Sequence, residues 1–292
     1  MAGGTMRVVV IGGGISGLAT AHAVIREANQ EGRSLRLNLL EASPRLGGNI
    51  HTERHDGFVV ESGPDAFVVT RPQALHLCEE LGLGERLIET IPANRRVYIL
   101  RHGKLMTMPE GLVLGIPSRI RPFLRSPLLT LSGRFRALRE VIERAVDAGG
   151  DIAVGEFLER RFGREMVDVV FEPLLGGIYA GDPYKLSLRS TFPDWFKERG
   201  RGKSLLRTAR AEQKAKGKKA PPRSPFRSLV SGMSELIEAL AKSIGGGVVR
   251  LSTPVLRIER EGRAYRVLLG DGELVADHVV VALPAHLASP IL

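Results

Sequence analysis

Three glycines and a glutamate near the amino terminus have types and spacing that fit a definite chemical task. Gly12, Gly14 and Gly17 form a GxGxxG pattern, and Glu41 follows 24 residues after Gly17. Glycines at this spacing allow a tight turn and let the backbone approach a pyrophosphate, which a helix amino terminus then binds. A carboxylate at the position of Glu41 accepts hydrogen bonds from ribose hydroxyls. The pattern therefore predicts a dinucleotide site that selects an unphosphorylated ribose.

The elements needed to position these residues follow in the expected order. Residues 7–11 are an apolar, β-branched run that predicts a strand leading directly into the glycines. The helix predicted next carries Ile15 and Ser16 in its first turn, and a second apolar run ends at Glu41. Strand, glycine turn, helix, strand and terminal acid together are a much stronger signal than the glycines alone. They indicate a Rossmann-like α/β domain.

A run of small and charged residues directly after Glu41 helps to distinguish between FAD and NAD as the cofactor. Arg45 can meet a phosphate, and adjacent glycines permit close backbone approach. The residues concerned in EASPRLGGNI and in the later Gly-Pro turn are Ala42, Arg45, Gly47, Gly48, Asn49, Gly63, Pro64, Asp65 and Ala66. This run resembles the FAD-binding flavoprotein amine oxidase superfamily. The resemblance implies FAD rather than NAD, and implies that the backbone of Val255, in STPVLRIE, contacts the adenine.

The order of predicted elements indicates a domain that is interrupted by an insertion. Apolar periodicity predicts a helix over residues 71–89, and alternation predicts hairpins that turn at His102-Gly103 and at Asp271-Gly272. Several short helices with frequent Pro and Gly occupy residues 111–198, and the strand HVVVAL then returns the chain to the first sheet. We expect an α/β fold with a discontinuous, Rossmann-like FAD-binding domain at 1–90 and 228–292. Residues 91–227 form the inserted helical region, which we expect to bind substrate and a membrane surface.

The motif GGIYAGDPYKLSLRS, within residues 176–190, narrows the resemblance. It has three glycines and an Asp-Pro pair typical of a turn, and no nucleophile, base or metal spacing, so the residues alone also allow an ordinary helix stop with a turn. Together with GMSELIEAL and STFP, however, it is similar to the protoporphyrinogen and coproporphyrinogen oxidase family, and the similarity covers essentially the whole chain. Other amine oxidase relatives share the nucleotide motifs but not this one.

The resemblance implies a reaction in which the flavin performs the chemistry. FAD would take hydride from a meso carbon of a porphyrinogen in three rounds, and oxygen or another acceptor would reoxidise it. We favour protoporphyrinogen IX oxidation to protoporphyrin IX in haem biosynthesis, with coproporphyrinogen III oxidation or another flavin amine oxidase or desaturase reaction as alternatives. No catalytic residue is assigned, because the protein's task is to hold the ring and exclude competing reactions.

Substrate contacts are expected from open backbone and from arginine. Gly176 and Gly177 would give a flat macrocycle a surface without side chains. The family places an arginine on the hairpin after the first helices against a propionate, and a guanidinium suits a carboxylate. ANRRVYIL offers Arg95 and Arg96, and spacing does not choose between them. We assign Arg96, and a surface strand arginine is the alternative for either.

Composition restricts the class of protein further. The single cysteine, Cys78, excludes a disulfide framework or a cysteine-based metal site, and we expect it to be a small buried apolar residue in a cytoplasmic protein. The net charge is +10, but nearly all of the excess lies in 199–227, where Glu212 is the one acid. That segment indicates an exposed loop or an anionic partner. No nucleic-acid motif accompanies it, so we expect no nucleic-acid binding.

Residues 117–139 mix Leu, Ile and Phe with arginine and contain no acid, which favours a helix lying in a membrane interface. The alternative is ordinary helices with a basic solvent face. We therefore expect a peripheral association with the inner face of the cell membrane, and a homodimer is compatible with the family.

Members of the porphyrinogen oxidase family continue past the position of Leu292. We therefore interpret the chain as carboxy-terminally truncated, with an inactive truncated FAD fold or an acidic-partner-binding protein as the alternative from another class.

Overall fold

The chain divides into two units, one of which is built from two separate segments. The structure is a computed structural model that describes residues 4–91, 96–142, 149–199, 203–215 and 224–292. Unit 1 comprises Met1–Pro92 and Arg223–Leu292, and unit 2 is Ala93–Pro222. The boundaries predicted from the sequence are 90 and 228. The second boundary differs because the strand at Phe226–Leu229 pairs with strands of unit 1.

The first segment of unit 1 begins with the predicted strand, helix and strand. Its elements are β1 (Met6–Ile11), α1 (Ile15–Gln30), β2 (Leu35–Leu40), β3 (Thr52–His55), β4 (Phe58–Glu61), β5 (Phe67–Val68), α2 (Gln73–Glu80) and β6 (Leu87–Glu89). A single helix predicted over 71–89 is wrong in its second half. Gly82 has φ +75°, which ends the helix, and β6 then pairs with Phe226–Leu229.

Unit 2 contains two small hairpins followed by short helices. Its elements are β7 (Tyr98–Arg101), β8 (Lys104–Thr107), β9 (Leu112–Val113), β10 (Ile116–Pro117), α3 (Ile120–Arg125), α4 (Leu131–Leu138), α5 (Val154–Phe162), α6 (Arg164–Met166), α7 (Glu172–Tyr179), α8 (Leu188–Thr191), α9 (Pro193–Arg199) and α10 (Leu205–Ala215). A π-helical turn, Val167–Phe171, joins α6 to α7. The predicted turn at His102-Gly103 joins β7 to β8, and both residues have positive φ.

The second segment of unit 1 completes its sheets. Its elements are β11 (Phe226–Leu229), α11 (Ser234–Ile244), β12 (Val249–Arg250), β13 (Val255–Glu261), β14 (Ala264–Leu269), β15 (Gly272–Ala276), β16 (His278–Val281) and α12 (Ala285–Ala288). The main sheet has the strand order β12-β2-β1-β16, and all of its pairings are parallel. β13, β14 and β15 form a separate antiparallel sheet. The hairpin between β14 and β15 turns at Gly270-Asp271, because Leu269 pairs with Gly272, so the turn lies one residue before the predicted Asp271-Gly272.

Both faces of the parallel sheet are covered, which explains the uninterrupted apolar run of β1. On one face Val8 and Val10 pack with α1 and α11 side chains such as Leu18 and Leu240. On the other face Val9 and Ile11 pack with residues of the antiparallel sheet. A strand buried on both faces has no polar alternation. Cys78 is buried in the first of these clusters as predicted, and burial raises the pKa of its thiol to about 11.

Unit 2 has a hydrophobic core of its own. Phe157, Leu158 and Phe162 of α5 pack with Phe171 and with Leu175 of α7. All five are buried, and the rings of Phe162 and Phe171 lie 5.4 Å apart between centroids. The predicted α/β fold, with a discontinuous Rossmann-like domain and an inserted helical region, is confirmed. Within the described residues no helix is long and apolar enough to cross a membrane.

Candidate functional site

The three glycines of GxGxxG lie where β1 ends and α1 begins. Gly12 has φ +108°, a conformation that side chains strongly disfavour, and a Cβ there would lie 2.7 Å from the Ala282 carbonyl oxygen. A Cβ on Gly17 would overlap the Gly12 carbonyl oxygen. Gly14 is the amino-terminal cap of α1. These contacts show why the turn requires glycine and how α1 packs closely on the sheet.

The amino terminus of α1 is available to an anion. No side chain caps the helix at Gly14, and its first turn contains no acidic residue. The first N–H groups of a helix have no partner within the helix, and they carry the positive end of its dipole. Ile15 and Ser16 supply two of these N–H groups. A pyrophosphate at this end of α1 would satisfy them.

Glu41 lies directly after β2 with its carboxylate fixed by two backbone groups. Oε2 accepts a hydrogen bond from the Gly13 N–H at 2.5 Å, and Oε1 accepts one from the Ser43 N–H at 2.8 Å. Each carboxylate oxygen can accept more than one hydrogen bond, so capacity remains for hydroxyl donors. The Thr253 N–H donates to the Glu41 carbonyl at 2.9 Å, which brings the strand that contains Val255 to the same turn.

The loop after Glu41 is braced by its own arginine. The Arg45 guanidinium donates to the carbonyl oxygens of Gly48 at 2.9 Å and of Leu46 and Ile50 at 3.3 Å. The Gly47 N–H donates to the Gly13 carbonyl at 2.8 Å, so the loop is joined to the glycine turn. In the structure Arg45 therefore shapes the loop. Its predicted contact with a phosphate stays a prediction.

A cavity of about 670 Å³ opens where these parts meet. Among the predicted cofactor residues, it is lined by Gly12, Gly14, Ile15, Ser16, Glu41, Gly47, Gly48, Asn49 and Pro64. The predicted residues Gly17, Ala42, Arg45, Gly63, Asp65, Ala66 and Val255 are not part of its lining. Gly17 and Gly63 instead support lining residues through close backbone packing. A Cβ on Gly17 would overlap the Gly12 carbonyl, and a Cβ on Gly63 would overlap the Asn49 carbonyl. The Asp65 carbonyl accepts a hydrogen bond from Ser228 Oγ at 2.6 Å.

The part of the wall that follows β16 was not predicted from the sequence. These residues are Val281, Ala282, Leu283, Pro284 and Leu287, and Ile50 was missed on the opposite side. β16 pairs in parallel with β1, and the Ala282 N–H donates to the Ile11 carbonyl at 2.8 Å. The carboxyl ends of neighbouring parallel strands meet at one edge of a sheet, where ligands bind. The predicted return of HVVVAL to the first sheet was the signal that could have located them.

The residues of this cavity fit the dinucleotide part of FAD. Glycine positions without room for a Cβ surround an uncapped helix terminus, and a carboxylate with spare acceptor capacity lies at the end of the adjacent strand. The terminus would hold the pyrophosphate, and Glu41 would hold the adenosine ribose. A 2′-phosphate on that ribose would face the negative charge of Glu41, so an unphosphorylated ribose is favoured.

The predicted substrate residues all lie in unit 2. Gly176 and Gly177 are in the last turns of α7, and the space around a Cβ built at either position is open. Arg96 is exposed just before β7, on a separate hairpin, whereas Arg95 lies outside the described residues. The backbone at Gly176 and Gly177 is therefore unobstructed, as a surface for a flat ring requires. Whether Arg96 meets a propionate remains a prediction.

The second half of the GGIYAGDPYKLSLRS motif is a turn docked on α5. The Asp182 carboxylate accepts a hydrogen bond from the Tyr184 N–H at 2.9 Å, and the Gly155 N–H donates to the Pro183 carbonyl at 2.8 Å. The Tyr184 ring lies where a Cβ on Gly155 would be, 2.8 Å from ring carbons, and its hydroxyl donates to Glu159 Oε2 at 2.7 Å. Burial and this hydrogen bond raise the pKa of Tyr184. This part of the motif therefore fixes α7 to α5.

Comparison with known proteins places this fold and site in a class. Residues 15–292 match the family described as flavin containing amine oxidoreductase. The chain belongs to this family, which confirms FAD as the expected cofactor. Putrescine oxidase, at 19% identity and a TM-score of 0.66, shares the fold.

More similar proteins carry porphyrinogen oxidase names. Coproporphyrinogen III oxidase of Bacillus subtilis (strain 168) is 38% identical over the whole chain, which covers 63% of that relative. The enzyme of the same name from Staphylococcus aureus is 32% identical over 96% of the chain and 61% of its own length. A crystal structure from Exiguobacterium sp. 255-15, provisionally named protoporphyrinogen oxidase, has 34% identity and a TM-score of 0.83, covering 99% of this chain and 62% of that one. The chain thus spans less than two thirds of these relatives, and the resemblance to the porphyrinogen oxidases is confirmed.

Proposed function

We propose that the protein oxidises a porphyrinogen with FAD as cofactor. The observation that carries this proposal is the cavity beside Glu41 and the α1 terminus, in a chain similar over its whole length to a coproporphyrinogen III oxidase. The reaction removes hydrogens from the macrocycle in three two-electron steps. Oxygen or another acceptor takes the electrons away. A non-enzymatic binder has no observation in its favour beyond the basic segment 199–227, part of which lies outside the described residues.

The division of labour follows from the residues. FAD, when bound, supplies the hydride acceptor. The N–H groups at the start of α1 hold the pyrophosphate, and the Glu41 carboxylate holds the ribose in the orientation set by Gly13 and Ser43. Arg45 keeps the loop around Gly47 and Gly48 in shape. No side chain is assigned as a general base, because positioning is what this chemistry requires of the protein.

Substrate recognition is proposed to use unit 2. The open backbone at Gly176 and Gly177 would accept the face of an apolar ring, and Ile178 and Tyr179 beside it are exposed. Arg96 would pair with a propionate, for which a planar guanidinium is the best partner. Replacing Gly176 by valine should raise KM for the porphyrinogen while leaving FAD affinity unchanged, because no cofactor residue lies on α7.

The relatives direct the choice of substrate to be tested first. Two bacterial relatives of this chain are named coproporphyrinogen III oxidases, whereas protoporphyrinogen IX was favoured by the sequence analysis. The protein loaded with FAD should be incubated with each porphyrinogen under oxygen, with porphyrin fluorescence followed against samples lacking protein. We expect acceleration with coproporphyrinogen III to be the greater. A rate equal to the spontaneous rate for both porphyrinogens would overturn the proposal.

A peripheral membrane contact is proposed for the segment 117–139. Leu131 and Phe135 lie one turn apart on α4 and are 68% and 64% exposed, and Arg121 and Arg125 of α3 are exposed nearby in sequence. Apolar residues flanked by cations suit an anionic lipid interface. The doubly substituted L131S/F135S protein should sediment less with phosphatidylglycerol vesicles than the parent. Equal sedimentation of the two proteins at low salt would contradict this contact. A homodimer and a location at the inner membrane face remain proposals.

A further inference from the structure

We propose that unit 2 contains a second ligand site, which binds an aliphatic carboxylate. The site is a cavity of about 500 Å³ between the β9–β10 turn, α9 and α10, here called the α10 cavity. Its lining residues are Val113, Leu114, Ile116, Asp194, Trp195, Lys203, Leu205, Thr208 and Ala209. Neither Arg96, Gly176 nor Gly177 is among them. The proposal therefore concerns a site separate from the substrate contacts proposed above.

Aliphatic groups form most of the wall. Val113 and Ile116 come from the short hairpin, and Leu205 and Ala209 come one turn apart on α10. Leu114 joins them from the hairpin turn with φ +48° and remains 45% exposed. A two-residue hairpin turn requires this backbone conformation, and the turn leaves the apolar side chain partly in water. An aliphatic ligand in the cavity would cover this side chain.

The tryptophan in the wall is held in place by other rings. Phe192 stacks on the Trp195 indole with centroids 4.1 Å apart and planes 12° apart. Phe157 lies 6.3 Å from the same indole. A stacked partner fixes the orientation of an aromatic ring and covers one of its faces. With one face of the indole covered by Phe192 and aliphatic side chains in much of the remaining wall, the geometry favours an alkyl chain over a planar ring as the occupant.

The charges at the cavity favour an anionic head group. Lys203 contributes a cation to the lining, and Arg207 and Arg210 are exposed along α10. The opposing charge, Asp194, has Lys197 Nζ within 4.0 Å of its carboxylate. Thr208 Oγ1 donates its proton to the Ser204 carbonyl at 3.0 Å, so the head group would be bound by the Lys203 ammonium and not by this hydroxyl. A carboxylate near Lys203, with its chain along Leu205 and Ala209, matches both the apolar wall and the positive surroundings.

The position of the only tryptophan makes the site directly measurable. Trp195 is the single tryptophan of the chain and lies in the cavity wall, so its fluorescence reports occupancy without flavin or turnover. Titration with alkyl carboxylates from hexanoate to myristate should give saturable changes. Affinity should rise about fourfold per added methylene and then level off once the chain fills the cavity. Failure of this titration would leave the proposed oxidase function untouched, since the two are read by different signals.

Three substitutions test the assignment. Ala209→Phe fills the cavity and should weaken decanoate binding by at least tenfold, whereas Ala211→Phe, at an exposed position of the same helix, should leave it unchanged. Lys203→Gln should weaken decanoate binding about fivefold and decanol binding hardly at all. Equal effects of the two phenylalanine substitutions would overturn the proposal. So would a tight response to coproporphyrin, sensitive to Ala209→Phe, in a protein that does not respond to decanoate.

Discussion

At the scale of single residues, Glu41 carries the largest share of the predicted selectivity for the cofactor. Its two oxygens accept N–H groups of Gly13 and Ser43, so a neutral amide cannot replace it without turning a donor toward a donor. We expect Glu41→Gln, which loses one hydrogen bond to a ribose hydroxyl, to weaken FAD binding about tenfold, and Glu41→Ala, which loses two, about a hundredfold, at roughly 1.5 kcal/mol for each hydrogen bond to a charged group. Quenching of flavin fluorescence on binding measures both constants.

The matched control for Glu41 is Glu31→Gln. Glu31 is an exposed carboxylate after α1 whose ion pair is with Arg33 on the surface. Its removal should not change FAD affinity. If Glu41→Ala bound FAD as tightly as the control, Glu41 would have no role at the ribose, and the interpretation of the cavity as a dinucleotide site would be wrong.

Asp277 joins the starts of β1 and β16 by an ion pair whose contribution depends on pH. Its Oδ1 is 2.7 Å from Arg7 Nη2, and the hydrogen bonds from Arg7 hold the pKa of Asp277 at about 2. A carboxylate whose pKa is lower in the folded state stabilises above its unfolded pKa of about 3.9, and this stabilisation is lost as the pH falls toward 2. We expect Asp277→Asn to lower the free energy of unfolding at pH 7, with a difference from the parent that shrinks between pH 4 and pH 2.

Urea unfolding at a series of pH values measures this difference. Asp271→Asn is the control, because Asp271 is largely exposed and its pair with Arg250 is longer, at 3.4 Å. A difference between Asp277→Asn and the parent that does not change with pH would show that Asp277 acts through packing rather than through its charge.

At the scale of elements, α10 depends on a buried carboxylate at its amino terminus. Glu140 is 1% exposed and accepts hydrogen bonds from Ser204 Oγ at 2.6 Å and from the N–H groups of Leu205 and Leu206 at 2.7 and 3.2 Å. Arg161 is also buried and donates to Glu140 at 3.0 Å. Replacing Glu140 by Met leaves Arg161 charged without its partner and the helix without its cap. We expect a loss of about 3–5 kcal/mol in the free energy of unfolding.

Replacing the other partner of this ion pair, Arg161, should destabilise the protein less. In Arg161→Met, Glu140 still accepts hydrogen bonds from the Ser204 hydroxyl and from two N–H groups at the positive end of α10. The loss in the free energy of unfolding should therefore be clearly smaller than for Glu140→Met. Urea unfolding followed by Trp195 fluorescence compares the two. Equal losses would show that the ion pair, and not the capping of the helix, is what matters.

The sequence predicted elements well where one local pattern decides them. The glycines, β-branched runs and turn dipeptides located β1, α1, β2 and the β7–β8 hairpin to within a residue or two. The pairing of Glu140 with Arg161 and residues 204–206 was not predictable, because no periodicity links positions so far apart. The contact of the Tyr184 ring with Gly155 was not predictable either, and it shows that this part of the GGIYAGDPYKLSLRS motif packs α7 against α5. The helix predicted over 71–89 failed because pairing of β6 with β11 outweighs local propensity.

At the scale of the whole molecule, the apolar residues separate into cores that belong to one unit each. Leu18 lies fully buried in unit 1, and Leu158 lies fully buried in unit 2. Leu-to-Ala substitution at such sites costs about 2–5 kcal/mol. Bound flavin reports on unit 1, whereas Trp195 reports on unit 2. We therefore expect Leu18→Ala to lower the urea midpoint for flavin release more than that for Trp195, and Leu158→Ala to do the opposite.

The comparison of the two substitutions distinguishes cores that unfold separately from one cooperative structure. Both proteins are measured with both probes in the same urea series, and the parent loaded with FAD is the reference. Because the flavin residues belong to two chain segments joined across unit 2, a single cooperative transition would make the two probes shift together in each variant. That result would contradict independent cores. Shifts that follow the substituted unit would establish that the inserted helical unit retains its fold when the dinucleotide domain is weakened.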